Sequence, residues 1–371
     1  MPRGYEPVRP SGIGFDRLIL TSGSLSSRPR REFVRRICAL YPEAELVELP
    51  ETPHNRVDLG EADPLALHRK GKRALVFGEH HSAVRFSQEV GNTCPNYWHF
   101  SPYGFCPYDC SYCYLAGTQG VCYSPTVKIY VNLPEMLRQV DAIAHHLREP
   151  TAFYLGKLQD GLALDPLTAY STVSVPFFAQ HEFARQVILT KSAEVERLIP
   201  LAHGGHTILS WSLNPPRIAE EFEGGSPPLA SRLHAMRRCA DAGYPVRAVI
   251  MPIVPVEGWE GLYSEFVRDL AGSVPLQRLT LGGICSYKHS WRLMERKLGS
   301  DNVISRHMES QEAGDGRLRY SRDLRIRLFS HIIAAAREAQ PDLQIALCLE
   351  ERAVWEALGL RDSMGRCNCV L

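Results

Sequence analysis

Cys106, Cys110 and Cys113 stand within the run FCPYDCSYCYL, spaced CxxxCxxC in eight residues. Thiolates are soft ligands, and three at short, uneven spacing suit an iron-sulfur cluster or zinc. Structural zinc ordinarily takes a second cysteine pair or a histidine at matching spacing. Tyr112 and Tyr114 flank Cys113 and offer no such ligand. Three cysteines can instead hold three irons of a 4Fe-4S cluster, leaving the fourth iron open to a small chelating ligand. Zinc ligation, or plain buried thiols, is the alternative that spacing alone leaves open.

A second group of thiols closes the chain. Cys367 and Cys369 lie in GRCNCVL, on what reads as a flexible tail, with Cys348 as a possible third ligand. Such a set suits a soft metal or metalloid, an auxiliary cluster or a redox pair, against the alternative of idle thiols. Cys94, twelve residues before Cys106, is near enough in sequence to approach the cluster or an auxiliary site. Cys38 and Cys239 fall on apolar helix faces and read as core packing. His145, His146, His203 and His206 have only helix or loop context and receive no ligand role.

The chain has 371 residues, enough to bury a substantial core without disulfides. Its 11 cysteines are odd in number, and it begins MPRGYEP with no apolar signal segment, so a reducing cytoplasm is expected. No apolar run approaches a membrane span, and a soluble protein without a membrane partner is expected. With 42 Lys+Arg against 41 Asp+Glu, the net charge of +1 is not that of a nucleic-acid binder as a whole. Three local basic stretches remain, at 26–36, 68–73 and the arginine-rich RLRYSRDLRIR of 317–327.

The elements that must position these groups follow from periodicity. To about residue 90 the pattern predicts one helix near 31–40 and short strands at ELVEL and RALVFG, an N-terminal cap over 1–90. Apolar strands then alternate with amphipathic helices, the rhythm of a parallel α/β architecture. Strands are predicted at 127–131, 152–158, 186–190, 207–213, 246–252 and 279–284, six being what a partial barrel needs. Helices are predicted over 133–147, 231–243 and 261–272, the second ending at a glycine. The barrel is assigned to 91–290, and 291–371 is a C-terminal extension with a helix at 321–338 and a seventh strand at 343–350. In parallel barrels the strand C-terminal ends carry the chemistry. Lys191 and Ser192, Ser212 and Asn214, Asp160, and Pro252 stand at such ends, fit to meet carboxylate, amino, ribose or adenine groups.

The cysteine spacing, with an aromatic just before the third cysteine, resembles the signature of the radical S-adenosylmethionine (SAM) superfamily. That resemblance implies a partial parallel (β/α)6 barrel, with the SAM amino and carboxylate groups chelating the open iron of a 4Fe-4S cluster. The runs CPYDCSYCYL, VKIYVNLPEML, LTKSAEVERL, SWSLNP, DAGYPVRAVIMPI and EGWEGLYSEF, with HNRVDLGEADPLALHRKGKRALVFG upstream, narrow it. Together they are similar to the spore photoproduct lyase family over roughly residues 50–290. By that similarity Cys106, Cys110 and Cys113 are cluster ligands, Tyr112, Lys191 and Ser212 match positions that contact SAM, and Tyr114 matches a tyrosine of the radical relay. The family's activity is repair of a thymine dimer in DNA, with a cysteine as hydrogen donor in the segment matching AFYLGKLQD. This chain has no cysteine from 123 to 238, and Cys122, Cys239 or Cys285 can substitute only if the fold brings one there.

The cysteine-bearing terminus is also similar to radical SAM enzymes that join carbon to arsenic by transferring a 3-amino-3-carboxypropyl group. The expectation is therefore a radical SAM enzyme acting on an unidentified substrate, a small molecule rather than DNA. A flavodoxin- or ferredoxin-type electron donor is implied. Dimer repair, carboxypropyl transfer to arsenite held by Cys348, Cys367 and Cys369, and a non-catalytic metal-binding module are the alternatives.

Overall fold

In the computed structural model the strands sort into two principal sheets, and residues 2, 4–118, 123–309 and 314–371 are described. Cys122 lies outside them. The first sheet runs Glu45–Leu49, Arg17–Thr21, Ala74–Gly78 and Val127–Tyr130, all parallel, with Tyr103–Gly104 antiparallel beyond. Ala74–Gly78, inside the sheet, is buried at every residue, whereas the edge strand Glu45–Leu49 is nowhere buried and carries two glutamates. A charged edge of this kind discourages further strand pairing. The helix Arg28–Cys38 buries Phe33, Val34 and Ile37, and Ser27 caps it by accepting from the Arg30 N–H.

The second sheet has eight strands, in the order Gln344–Leu347, Leu276–Leu281, Val246–Ile250, Thr207–Ser212, Ala184–Thr190, Thr151–Leu155, Tyr97–Phe100 and Val84–Ser87. Seven are mutually parallel and Val84–Ser87 pairs antiparallel at one end. Thr207–Ser212 and Val246–Ile250 are buried at every residue, as strands with covered faces must be. Helices Leu133–Leu147, Ser171–Gln180, Leu229–Asp241 and Trp259–Ser273 separate successive strands, giving an α/β fold with mixed, unclosed sheets.

Two expectations change here. The segment 127–131, expected to open the barrel, pairs with Ala74–Gly78 in the first sheet instead. An apolar run identifies a parallel strand but carries no record of which neighbour it pairs with. Tyr97–Phe100 fills the place beside Thr151–Leu155; its YWHF is too short and too polar at His99 to announce itself. The C-terminal run, expected as a flexible tail, is packed inside: Cys367 and Asn368 are buried. Ser210 Oγ donates to the Asn368 side-chain oxygen at 2.8 Å, and Arg278 and Arg247 donate to the carbonyls of Cys367 and Val370 at 2.7 and 2.6 Å. Orphaned donors on the inner strand faces thus find acceptors in the tail.

The arginine-rich 317–327 stretch is likewise not an exposed basic surface. Arg317 pairs with Asp315 at 2.8 Å and Glu89 at 3.4 Å, Arg319 with Asp315, and Arg325 with Glu350 and, at 2.9 Å, Glu351. Its three least exposed guanidiniums are spent inside the protein. Among the described residues no helix is long and apolar enough to cross a membrane.

Candidate functional site

The cysteine loop is held from behind by a lysine. Lys72, at the end of the helix Pro64–Lys72, donates from Nζ to the carbonyls of Cys106 and Tyr108, each at 2.6 Å, and lies 3.8 Å over the Phe105 ring. Phe105 itself adopts φ 59°, so the chain turns sharply into Cys106. Further along, Asp109–Cys110 pairs antiparallel with Glu223–Gly224, and the Ser111 N–H donates to the Phe222 carbonyl at 2.8 Å. Asp109 also meets His68 at 3.1 Å and Lys297. The loop is therefore fixed by backbone and charge before any ligand is bound.

Charge-assisted hydrogen bonds are worth about 1.5–3 kcal/mol each. Lys72→Met, which keeps the aliphatic stem, should cost about 2–4 kcal/mol in a thermal or denaturant melt and lower the iron retained after reconstitution. An unchanged melt with full iron would remove Lys72 from this role.

All three cysteines line one cavity of about 1120 Å³, counting its open mouth. Tyr112, Tyr114, Asp160, Lys191 and Ser212 line it too, and so does Pro252. The sequence-predicted residues are thus brought together. Lys191 Nζ donates to Ser212 Oγ at 2.6 Å and to Glu223 Oε1 at 3.2 Å. Glu223, with a fully buried side chain, also accepts from Tyr112 Oη, from Asn214 Nδ2 at 3.1 Å and from Arg232. Burial alone would raise its carboxyl, but Lys191 and Arg232 outweigh that and hold it at about 2.

Asp160, expected to contact a ligand, lines the cavity and also has a structural part. Its carboxylate accepts from the Leu162, Ala163 and Lys191 N–H groups at 3.0, 2.9 and 2.6 Å and from Thr190 Oγ1 at 2.6 Å. Those four bonds, three on Oδ1 and one on Oδ2, fix the turn that presents Lys191. Tyr114 Oη reaches the Lys157 carbonyl at 3.4 Å.

Burial pushes the Cys110 thiol up to about 12 and that of Cys106 also well up, against the pull of Lys191 and Lys72 respectively. Such thiols ionise at neutral pH only when a cation binds them. The donor set, three soft sulfurs from one pinned loop beside a lysine and a hydroxyl, fits a cluster with a small chelating ligand on an open iron.

Sequence reasoning missed Glu223, Lys72 and Arg232. Glu223 sits in EEFEGGSP among acidic neighbours, and no local signal separates it from them. Of the substitute thiols, Cys285 lines the cavity, whereas Cys239 is buried in the helix Leu229–Asp241 and is not part of the lining. Cys348 and Cys369 also line it. The Cys94, Cys348 and Cys367 sulfurs lie within 4.8 Å of one another.

A family model described as spore photoproduct lyase matches residues 32–288. Spore photoproduct lyase of Bacillus subtilis (strain 168) is 30% identical over 233 residues, covering 62% of this chain and 66% of that protein. The spore photoproduct lyase of Geobacillus sp. (strain Y412MC61) is 32% identical over 230 residues, 61% of this chain and 65% of that one. The chain spans slightly less than two thirds of either relative. Among solved structures, a spore photoproduct lyase complexed with dinucleoside spore photoproduct gives a TM-score of 0.78 at 23% identity, over 91% of this chain and 100% of that one. A substituted form with bound AdoMet and the same dinucleoside gives 0.77 at 23% identity, over 90% and 98%. At that identity the likeness is one of fold.

Proposed function

Because the chain belongs to the spore photoproduct lyase family, we propose that it is a radical SAM enzyme whose seven parallel strands serve as the partial barrel. The observation that carries the reading is one cavity lined by Cys106, Cys110 and Cys113 together with Lys191 and Ser212. The three cysteines would hold a 4Fe-4S cluster, and SAM would lie against Lys191 and Ser212. With both bound and one electron supplied by a flavodoxin- or ferredoxin-type donor, this chemistry cleaves SAM to methionine and a 5'-deoxyadenosyl radical.

The protein's own residues prepare that event. Lys191 offers a cation to a carboxylate while Glu223 fixes its position, and Ser212 Oγ offers a donor or acceptor to amino or ribose groups. Tyr112, tied to Glu223, orients the turn between Cys110 and Cys113. Leu189, Val249, Met251 and Ile284 give the cavity an apolar lining that keeps water from a radical. Tyr114 at its wall is the relay candidate. No S–H stands at Tyr154, Gly156, Gln159 or Asp160, the cavity residues of the segment where the family's donor thiol is expected, so the hydrogen donor is sought among the cavity's tyrosines, Tyr114 first, and Cys285, Cys348 and Cys369. With Arg317, Arg319 and Arg325 internally paired and the thiols differently placed, a small-molecule substrate is the better fit.

A second reading, carboxypropyl transfer to a thiol-bound metalloid, has the convergence of Cys348 and Cys369 on the cavity in its favour. Anaerobic reconstitution, reduction and product analysis separate the two. About four irons per chain and methionine with 5'-deoxyadenosine support the first reading. Methylthioadenosine favours the second, and a chain that takes no iron at the loop is a structural metal module.

A further inference from the structure

Four cysteines from three separate segments meet at the edge of the cavity. Cys94 precedes the strand Tyr97–Phe100, Cys348 follows the edge strand Gln344–Leu347, and Cys367 and Cys369 come from the C-terminal run. The sulfurs of Cys94, Cys348 and Cys367 lie within 4.8 Å of one another, and Cys369 Sγ is 3.9 Å from Cys367 Sγ. A single ion bound by thiolates at about 2.3 Å holds its sulfurs about 3.8 Å apart in a tetrahedron. A cubane cluster, with each ligand on a different iron, needs a wider set. Ordinary packing gives no reason for four thiols from three segments to converge so closely.

The surroundings favour a negatively charged thiolate group. The Leu349 N–H donates to Cys94 Sγ at 3.1 Å, the kind of backbone bond that orients a metal-bound thiolate. Buried Arg278 and Arg247 reach the tail's carbonyls beside Cys367 and Cys369, bringing two guanidiniums to a set that would carry excess negative charge. The neighbouring contacts are already closed: Thr93 donates from N and Oγ1 to the Glu350 carbonyl at 2.9 and 2.8 Å, and Trp355 Nε1 donates to Thr93 Oγ1 at 2.7 Å.

We propose that Cys94, Cys348 and Cys367 hold a single thiophilic ion, either zinc with Cys369 as fourth ligand or trivalent arsenic on the three thiolates alone, distinct from the group on Cys106, Cys110 and Cys113. Each ligand thiol gives its proton to solvent or to a hydroxide of the incoming ion, so neither oxidant nor reductant is required. The ion clasps the strand end at Cys348 to the loop at Cys94, near opposite ends of the open sheet, and anchors the tail that fills its interior. This inference does not depend on the radical SAM reading.

The test uses the reduced full-length chain, its Cys348→Ser/Cys367→Ser double variant and a Cys106→Ala variant, each assayed for iron and titrated with zinc and with arsenite. The parent should bind about one ion per chain, retained as zinc from expression or taken up as either ion on titration. The double variant should lose at least about a hundredfold in that affinity and keep its iron. Cys106→Ala should lose iron and keep this ion, so failure here is distinguishable from failure of the cluster assignment. A parent that binds neither ion, a Cys367–Cys369 disulfide persisting under reductant, or extra iron lost in the double variant overturns the proposal. Should the double variant not fold, alkylation of the parent decides: zinc or arsenite must protect Cys94, Cys348 and Cys367, and unprotected thiols overturn it.

Discussion

A Cys110→Ala chain is expected to fold, to stay colourless after anaerobic reconstitution with iron and sulfide, and to cleave SAM more than about a hundredfold more slowly than the parent. The size follows from comparison: removing a group that only orients a metal ligand costs about 10–100-fold, and Cys110 is assigned as a ligand itself. Folding should survive because the loop's attachments are not made by its thiols. The bonds to Glu223–Gly224 use the backbone of Asp109–Cys110, and Lys72 grips the carbonyls of Cys106 and Tyr108. Cys285→Ala, which removes another thiol from the same cavity, should keep its iron and colour. A brown, SAM-cleaving Cys110→Ala protein would end the assignment of the cluster to this loop.

What could be read in advance was local. The cysteine spacing lies within eight residues, so its chemistry does not wait for the fold. Lys191 and Ser212 were readable because each stands at or just past the C-terminal end of a mainly apolar strand, and parallel strands send such ends to one mouth. Asp160 was placed at that mouth, but its structural partners were not readable, since sequence cannot say that two donors of its own turn and two from the end of the neighbouring strand meet its carboxylate. Glu223 was invisible for the same reason in reverse. Its role depends on Tyr112, Lys191, Asn214 and Arg232, all four contributed by other loops and helices.

The tail shows the same limit at the scale of an element. GRCNCVL has neither helical nor strand periodicity and reads as loose chain. Its order comes from Ser210, Arg247 and Arg278, which project from three neighbouring strands and find acceptors in the tail. Cys94 and Cys348 are 254 positions apart and meet because the two ends of the sheet approach each other.

Glu223→Gln should produce the largest loss of stability of any single polar change in the site. The carboxylate stands between Lys191 and Arg232 with its side chain fully buried, and an amide leaves both cations without a counter-charge. Breaking a buried pair from one side costs about 3–5 kcal/mol. The pH dependence gives a second estimate. Glu223 ionises at about 2 in the folded chain against 4.5 ordinarily, a gap equivalent to about 3 kcal/mol. Because the folded value is the lower one, this stabilisation is complete above pH 4.5 and is lost as the pH falls toward 2. The parent's stability should therefore drop through that window, and the glutamine variant, already lacking the term, should show a flatter acid limb. Glu221→Gln, an exposed position on the preceding helix Pro216–Phe222, should change neither the melt nor its pH profile. In the glutamine variant Lys191 also loses the counter-charge that holds it beside Ser212, so SAM affinity should fall by roughly tenfold or more, read by equilibrium binding to the reconstituted protein. Equal stability of parent and variant at pH 7 would show that Lys191 and Arg232 have other counter-charges, and the electrostatic account of the site would have to be rebuilt around them.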